Sequence, residues 1–241
     1  MGEFLSLFFR QFSLPTLATI AVGYLLGSIN FSIIITKLYI RKDIRNFGSG
    51  NAGATNVLRS VGTVPALFTF AGDFAKQVAS ILLGRLIFTA MLSQTTANTD
   101  IILRYAAYLA GISCFLGHIY PVFFRFRGGK GVTTAAALMA LIDWRVFLIE
   151  LIVFLIVMLF TRIVSLGSVL CGILYPITTF CIAYFVDYRK MIYTSDAPYT
   201  LTYVIVATCL SALIGIIMVI KHHANITRIL NGTEKPISFK R

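Results

Sequence analysis

The sequence predicts an all-α integral membrane fold of seven transmembrane helices, with the N-terminus outside and the C-terminus cytoplasmic. Two observations give the membrane class. Of its residues 58% are hydrophobic and only 12% charged, and mean hydropathy is +0.85; a soluble domain carries about 25% charged residues. The apolar runs also extend along the whole chain, so a soluble domain with one anchor does not fit. A third observation, the segregation of basic residues to one side of these runs, gives the orientation.

A helix needs about 20 apolar residues to cross a bilayer. The runs Leu14–Ile40, Val64–Leu92, Ile101–Phe124, Val146–Phe160, Val164–Val186 and Leu201–Ile220 qualify or nearly so. Gly131–Asp143 is small-residue-rich and covers only about 20 Å at 1.5 Å per residue. It is taken as a short seventh span because the charge balance then alternates correctly. Ahead of the first run stand Glu3 and a single basic residue, Arg10, which is not the basic start of a cleaved signal.

The net charge is +12. Nucleic-acid binding is excluded because the basic residues fall between apolar runs, where they set topology and attract anionic groups. One side collects Lys37, Arg41, Lys42, Arg45, Arg59, Arg125, Arg127, Lys130, Arg162, Lys221, Arg228, Lys235, Lys240 and Arg241. The other holds Arg10, Arg104, Arg145, Arg189 and Lys190 with Glu3, Asp100, Asp143, Asp187 and Asp196. The basic side is expected to be cytoplasmic. Without an internal repeat or low-complexity tract, residues 1–241 read as a single membrane domain.

Four segments on that side carry chemistry. The first is Gly48-Ser49-Gly50-Asn51-Ala52-Gly53-Ala54-Thr55-Asn56, with Arg45 before it and Arg59 after it. Small residues let backbone amides approach an anion, and guanidinium groups fit phosphate. The stretch matches G-x-G-x-x-G, but the preceding membrane run excludes a dinucleotide fold. The second is Gly117-His-Ile-Tyr-Pro121 followed by Arg125-Phe-Arg-Gly128-Gly129-Lys130-Gly131. Glycines around Lys130 are expected to expose amides to an anion. Phe124 and Gly131 occupy positions where a Walker loop needs Gly and Ser or Thr, so nucleotide binding is not supported. The third is Thr161-Arg-Ile-Val-Ser165-Leu-Gly-Ser168, and the fourth runs from Lys221-His222-His223 through Asn225 to Glu234. Adjacent histidines point to different helix faces, so a metal is not expected. Ser28, deep in the first run, either meets substrate or bonds a backbone carbonyl.

Other chemistry is missing from the sequence. There is no G-x-S-x-G elbow, HExxH, acid-rich Mg²⁺ cluster or His-x₄-Asp pattern. Cys114, Cys171, Cys181 and Cys209 lie in apolar runs without CxxC spacing, as buried apolar residues do. Two glycosylation sequons, at Asn225 and Asn231, fall on the expected cytoplasmic side and are discounted.

These linked motifs resemble the bacterial acyl-phosphate:glycerol-3-phosphate acyltransferases. The resemblance runs from about Gly27 to Glu234 and rests on Asp43–Arg59, Gly117–Pro121 with Gly128–Gly131, Ser165–Ser168, and His222, Asn225 and Gly232–Glu234. Asn30, Ala52, Lys221 and His223 depart from the family's usual residues. The resemblance implies a seven-helix enzyme of the bacterial inner membrane with its site facing the cytoplasm. It implies transfer of an acyl group from acyl phosphate, not acyl-CoA, to the 1-hydroxyl of glycerol 3-phosphate. The products would be lysophosphatidic acid and inorganic phosphate, in the first step of phospholipid synthesis. Carried onto matching positions, it makes Ser28, Arg45, Lys130, His222 and Asn225 the catalytic set. Gly48, Ser49, Gly50, Asn51, Gly53, Thr55, Asn56, Gly128, Gly129, Ser165 and Ser168 become substrate- and phosphate-binding positions. No metal or cofactor is expected; the expected partners are the two substrates and membrane lipids, and function as a monomer is compatible with them.

Two other classes compete. An organic-phosphate transporter should place its charges near the midplane on broken helices; here only Asp73, Lys76 and Arg85 lie within the second run, and the i,i+3 spacing of the first two fits a structural ion pair. A scaffold subunit would not need the glycine-rich segments.

Overall fold

The computed structural model describes residues 12–91, 99–189 and 200–237. Glu3, Arg10, Leu92, Lys190, Asp196, Lys240 and Arg241, used above, lie outside the described residues. The chain is helical: α1 Leu14–Ser28, α2 Phe31–Ile40, α3 Ala54–Ser60, α4 Thr63–Met91, α5 Thr99–Ile119, α6 Val132–Ile142, α7 Trp144–Thr161, α8 Val164–Cys181, α9 Leu201–Lys221 and α10 His223–Leu230. Among the described residues, six helical stretches are long and apolar enough to cross a membrane: Leu14–Ile40, Thr63–Met91, Asp100–Phe124, Trp144–Thr161, Val164–Tyr188 and Leu201–Lys221. The expected seventh span is α6, an 11-residue helix, about 16 Å long and well short of a hydrocarbon core of about 30 Å.

Contacts divide the chain into two compact units. The first comprises Met1–Phe31 and Phe70–Ile142. Its α1 and α5 cross at glycines: a Cβ on Gly27 would strike the Cys114 carbonyl, and one on Gly117 the Tyr24 carbonyl. Between lipid-immersed helices such close backbone approach supplies the packing that the hydrophobic effect cannot. The first apolar run is not one helix. It breaks after Ser28, where Ile29 is extended and its amide donates to Leu26 O at 3.1 Å. In α4, Asp73 and Lys76 form the expected ion pair, at 2.8 Å.

The second unit comprises Ser32–Thr69 and Asp143–Arg241. Its α8 and α9 meet at another glycine pair, because a Cβ on Gly215 would strike the Gly172 carbonyl. Pro176 lies inside α8 and has no N–H to donate to that carbonyl. The glycine contact therefore sits at the turn the proline loosens, and α8 continues as a wider π-helical stretch, Ile182–Tyr188. Asp143 caps α7 by accepting from the Arg145 amide at 3.0 Å. The Arg145 guanidinium then bridges Asp143 and Asp187, each at 2.7 Å.

Candidate active site

In the second unit, the glycine-rich segment is built around one side chain, Asn56. Its Nδ2 donates to Phe47 O at 2.9 Å, Asn51 O at 3.0 Å and, more weakly, Ile44 O at 3.3 Å. Its Oδ1 accepts from the Ser49 amide at 3.1 Å. Asn56 is buried, and its amide is fully engaged in holding the loop. It orders the loop.

Three of the amides expected to cradle an anion are engaged within the loop. The Ser49 amide donates to Asn56, the Gly50 amide to Phe47 O at 2.9 Å and the Gly53 amide to Asn51 O at 3.1 Å. The glycines serve the turn instead. Gly48 sits at φ +55° and Gly50 at φ +71°, in the left-handed region. A Cβ at Gly48 would collide with Asn56 Oδ1 and lie 2.8 Å from Ser60 Oγ; at Gly50 the nearest atom is Arg45 O at 3.5 Å. Gly48→Ala should therefore cost about 2 kcal/mol or more, and Gly50→Ala about 1 kcal/mol. Thermal unfolding in detergent checks this; equal losses would mean that Asn56 does not constrain Gly48.

Arg45 lies in the short turn Ile44–Asn46, which Asp43 caps by accepting from the Arg45 amide at 3.0 Å. The same carboxylate grips the guanidinium with a fork, Nε to Oδ1 at 3.0 Å and Nη2 to Oδ2 at 2.7 Å. That bond holds the Asp43 carboxyl below its ordinary value, against the opposing effect of burial. The fork fixes the plane of the guanidinium and so preorganises it. Asn51 on the loop and Thr55 in the first turn of α3 are half-buried.

The fourth segment converges on a residue absent from the expected site, Glu234. Its Oε1 accepts from Ser165 Oγ and from Asn225 Nδ2, both at 2.7 Å, and Oε2 from Arg228 Nε at 2.6 Å. Burial raises the Glu234 pKa, but the bonds from Ser165, Arg228 and Asn225 outweigh it and hold the carboxyl below the ordinary glutamate range. The only sequence signal was a lone acid in a basic tail, inside Gly232–Glu234. Gly232, at φ +67°, closes α10 so that the Thr233 and Glu234 amides reach Arg228 O at 2.8 and 3.1 Å.

His222 caps α9. Its Nδ1 lies 2.7 Å from Met218 O, which makes Nδ1 the donor and Nε2 the basic nitrogen. Ser168 is buried and donates to Val164 O of its own helix at 2.9 Å. Arg59 Nη2 donates to Lys235 O at 2.5 Å, tying α3 to the tail. A cavity of about 470 Å³ lies here, lined by Gly48, Ser49, Arg59, Arg228, Glu234 and Lys235 among others. Its size and basic lining suit a small anion.

In the first unit, Ser28 is buried; its Oγ donates to Tyr24 O at 2.8 Å and accepts from the Val122 amide at 3.3 Å. The backbone-carbonyl reading thus holds for Ser28, whose hydroxyl joins the broken helix to the turn after α5. The Gly128 and Gly129 amides donate to Ile119 O at 3.1 Å and His118 O at 3.2 Å. These bonds cap α5. A Cβ at Gly128 would strike the His118 carbonyl. The capped loop fixes the backbone of the half-buried Lys130. Among the described residues, no three of His, Cys, Asp and Glu are grouped to hold a metal.

The family pattern described as glycerol-3-phosphate acyltransferase matches residues 17–232. The chain belongs to this family. It is 38% identical over 224 residues to the glycerol-3-phosphate acyltransferase of Shouchella clausii, covering 93% of this chain and 97% of that one. With the enzyme of Syntrophomonas wolfei it shares 37% identity over 223 residues, 92% of this chain and 97% of that one. Among solved structures it is similar to PlsY (YgiH), an integral membrane glycerol 3-phosphate acyltransferase, in its glycerol 3-phosphate form. The TM-score is 0.71 at 31% identity, over 92% of this chain and 96% of that one. The lysophosphatidic acid form of the same protein matches with a TM-score of 0.69. This member of the family is accordingly a multi-pass membrane protein, with basic loops outside its spans.

Proposed function

We propose that the chain, acting as one membrane domain, transfers an acyl group from acyl phosphate to the 1-hydroxyl of glycerol 3-phosphate. The observation that carries this reading is the near full-length likeness to an acyltransferase solved in its glycerol 3-phosphate form. The donor rests on the resemblance of the linked motifs to the acyl-phosphate branch. In the orientation we propose, α6 makes a short seventh crossing of the bacterial cell membrane where the bilayer is locally thin, and the basic loops face the cytoplasm.

Both substrates are phosphorylated, so cations must hold them before the reacting atoms meet. Arg45 and Lys130 are assigned to the phosphates, and Asn51, Thr55 and the cavity beside Gly48 and Ser49 to the glycerol phosphate. Ser28, Gly50, Gly53, Asn56, Gly128, Gly129 and Ser168 act through the backbone they hold. Ser165 and Asn225 act through Glu234. The glycerol oxygen attacks the acyl carbonyl carbon; the new C–O bond forms as the acyl–phosphate C–O bond breaks, and phosphate leaves with the electron pair. An acyl phosphate is already activated, so no acyl-enzyme is needed, and the buried, doubly bonded Ser28 suits none. The hydroxyl proton goes to a substrate phosphate, with His222 the competing acceptor. The enzyme contributes mainly by positioning and electrostatics.

Phosphate release by purified protein should depend on both substrates, and acyl-CoA should not replace acyl phosphate. Release with acyl-CoA alone as donor would sink the donor assignment. His222→Gln should keep kcat within about tenfold, with its pH profile unchanged, because glutamine can still cap Met218. A histidine base predicts instead a loss of about 10²–10⁴.

A further inference from the structure

We propose that Lys76, with Asp73 and His118, is a positioning cluster that fixes both the helix break carrying Ser28 and the glycine loop carrying Lys130. The proposal rests on the functional reading above. The break after Ser28 leaves carbonyls of α1 without the amides four residues on. Lys76 Nζ reaches two oxygens at that break, Gly27 O at 3.0 Å and Ile29 O at 2.7 Å. The same ammonium lies 2.8 Å from Asp73 Oδ1 and 3.0 Å from His118 Nδ1, and His118 Nδ1 is 3.4 Å from Asp73 Oδ1. All three side chains are buried.

His118 carries the chain of contacts onward. Its carbonyl accepts from the Gly129 amide at 3.2 Å, and the next carbonyl accepts from Gly128 at 3.1 Å. The turn between, at Val122, donates back to Ser28 Oγ at 3.3 Å. One buried cluster therefore touches the two segments of this unit that hold proposed site residues. An ion pair serving only the fold would need Asp73 alone. The aim of two ammonium donors at the carbonyls of a broken helix is what an ion pair leaves unexplained. A lysine supplies three donors at the end of a long stem, which suits carbonyls that no backbone amide can reach.

The test separates charge from donors. Lys76→Met alone strands a buried carboxylate, so the charge-free pair D73N/K76M is compared with D73N/K76Q, whose amide restores a donor of shorter reach. We expect D73N/K76M to be monodisperse in detergent, with kcat lower by at least about tenfold, KM for each substrate within about threefold, and D73N/K76Q partly recovered. Hydrogen exchange should rise over residues 26–32 and 118–131 in D73N/K76M and less in D73N/K76Q. Wild-type kcat and exchange in D73N/K76M overturn the proposal. So does failure of both pairs to give folded protein, since the cluster would then be holding up the fold as a whole. If the wild-type protein transfers no acyl group, the functional reading fails; the exchange comparison still decides the positioning role.

Discussion

Lys130→Met should lower turnover with acyl phosphate and glycerol 3-phosphate by about 10²–10³, the usual cost of removing one charged donor from a developing anion. The loop around Lys130 is pinned by the Gly128 and Gly129 amides on the last carbonyls of α5, and Gly131 turns the chain into α6 at φ +81°. The side chain thus starts from a fixed backbone, and methionine keeps its length while removing the charge. The loss should appear in kcat at saturating concentrations of both substrates, with thermal stability as the control. Lys130→Arg should recover part of it, because an arginine brings charge but a different donor geometry. A variant within about threefold of wild type in kcat and KM would remove Lys130 from the phosphate-binding set.

Glu234→Gln should reduce activity by about 10², chiefly through the neighbours that its carboxylate holds. Its carboxylate gathers Ser165, Asn225 and Arg228 at 2.6–2.7 Å. The amide keeps one oxygen for Ser165 or Asn225 but presents N–H groups to an arginine that has no acceptor. The part-buried Arg228 then loses its counter-charge, and α8, α10 and the tail lose their common point. A displacement of about 1 Å at positions such as Asn225 is enough for that size of effect.

The same residue sets a pH dependence. Its folded carboxyl titrates below the ordinary value of 4.5. Between the two values the unfolded chain binds more protons, so stability rises with pH there. The stabilisation is complete above the ordinary glutamate value and is lost as pH falls through the lowered one. Melting temperature in detergent should therefore fall below about pH 5 in the wild type and fall less in Glu234→Gln. Asp43, lowered chiefly by its bond to Arg45, contributes with the same sign and remains in the variant. Identical profiles for the two proteins would show that Glu234 is not charged in its hub.

The helices were legible because bilayer thickness fixes run length and composition fixes burial in lipid. Thr63–Met91 and Leu201–Lys221 fall within a residue or two of the runs read from hydropathy. The break at Ser28–Asn30 was not, since its few polar residues sit inside a long apolar run and a lysine 47 residues away satisfies it. Glycine in the 48–53 and 128–131 segments marked tight backbone, as the positive φ of Gly48, Gly50 and Gly131 shows. It could not say which amides the backbone itself engages: Ser49 donates to Asn56, Gly50 and Gly53 to carbonyls of their own loop, and Gly128 and Gly129 to the end of α5. Hydroxyls at Ser28 and Ser168 bond carbonyls four residues back, the cheapest partner in an apolar setting. Glu234 escaped because its partners lie up to 69 residues away, and proximity in space leaves no local signature.

The most direct test of the account is single-turnover transfer from acyl phosphate labelled in the acyl chain, with enzyme in excess and glycerol 3-phosphate present or withheld. Direct attack predicts that label passes to lysophosphatidic acid with one phosphate released per product. It also predicts that without glycerol 3-phosphate no label becomes bound to protein. Label trapped on the enzyme in the absence of glycerol 3-phosphate, and chased into lysophosphatidic acid when it is added, would contradict it.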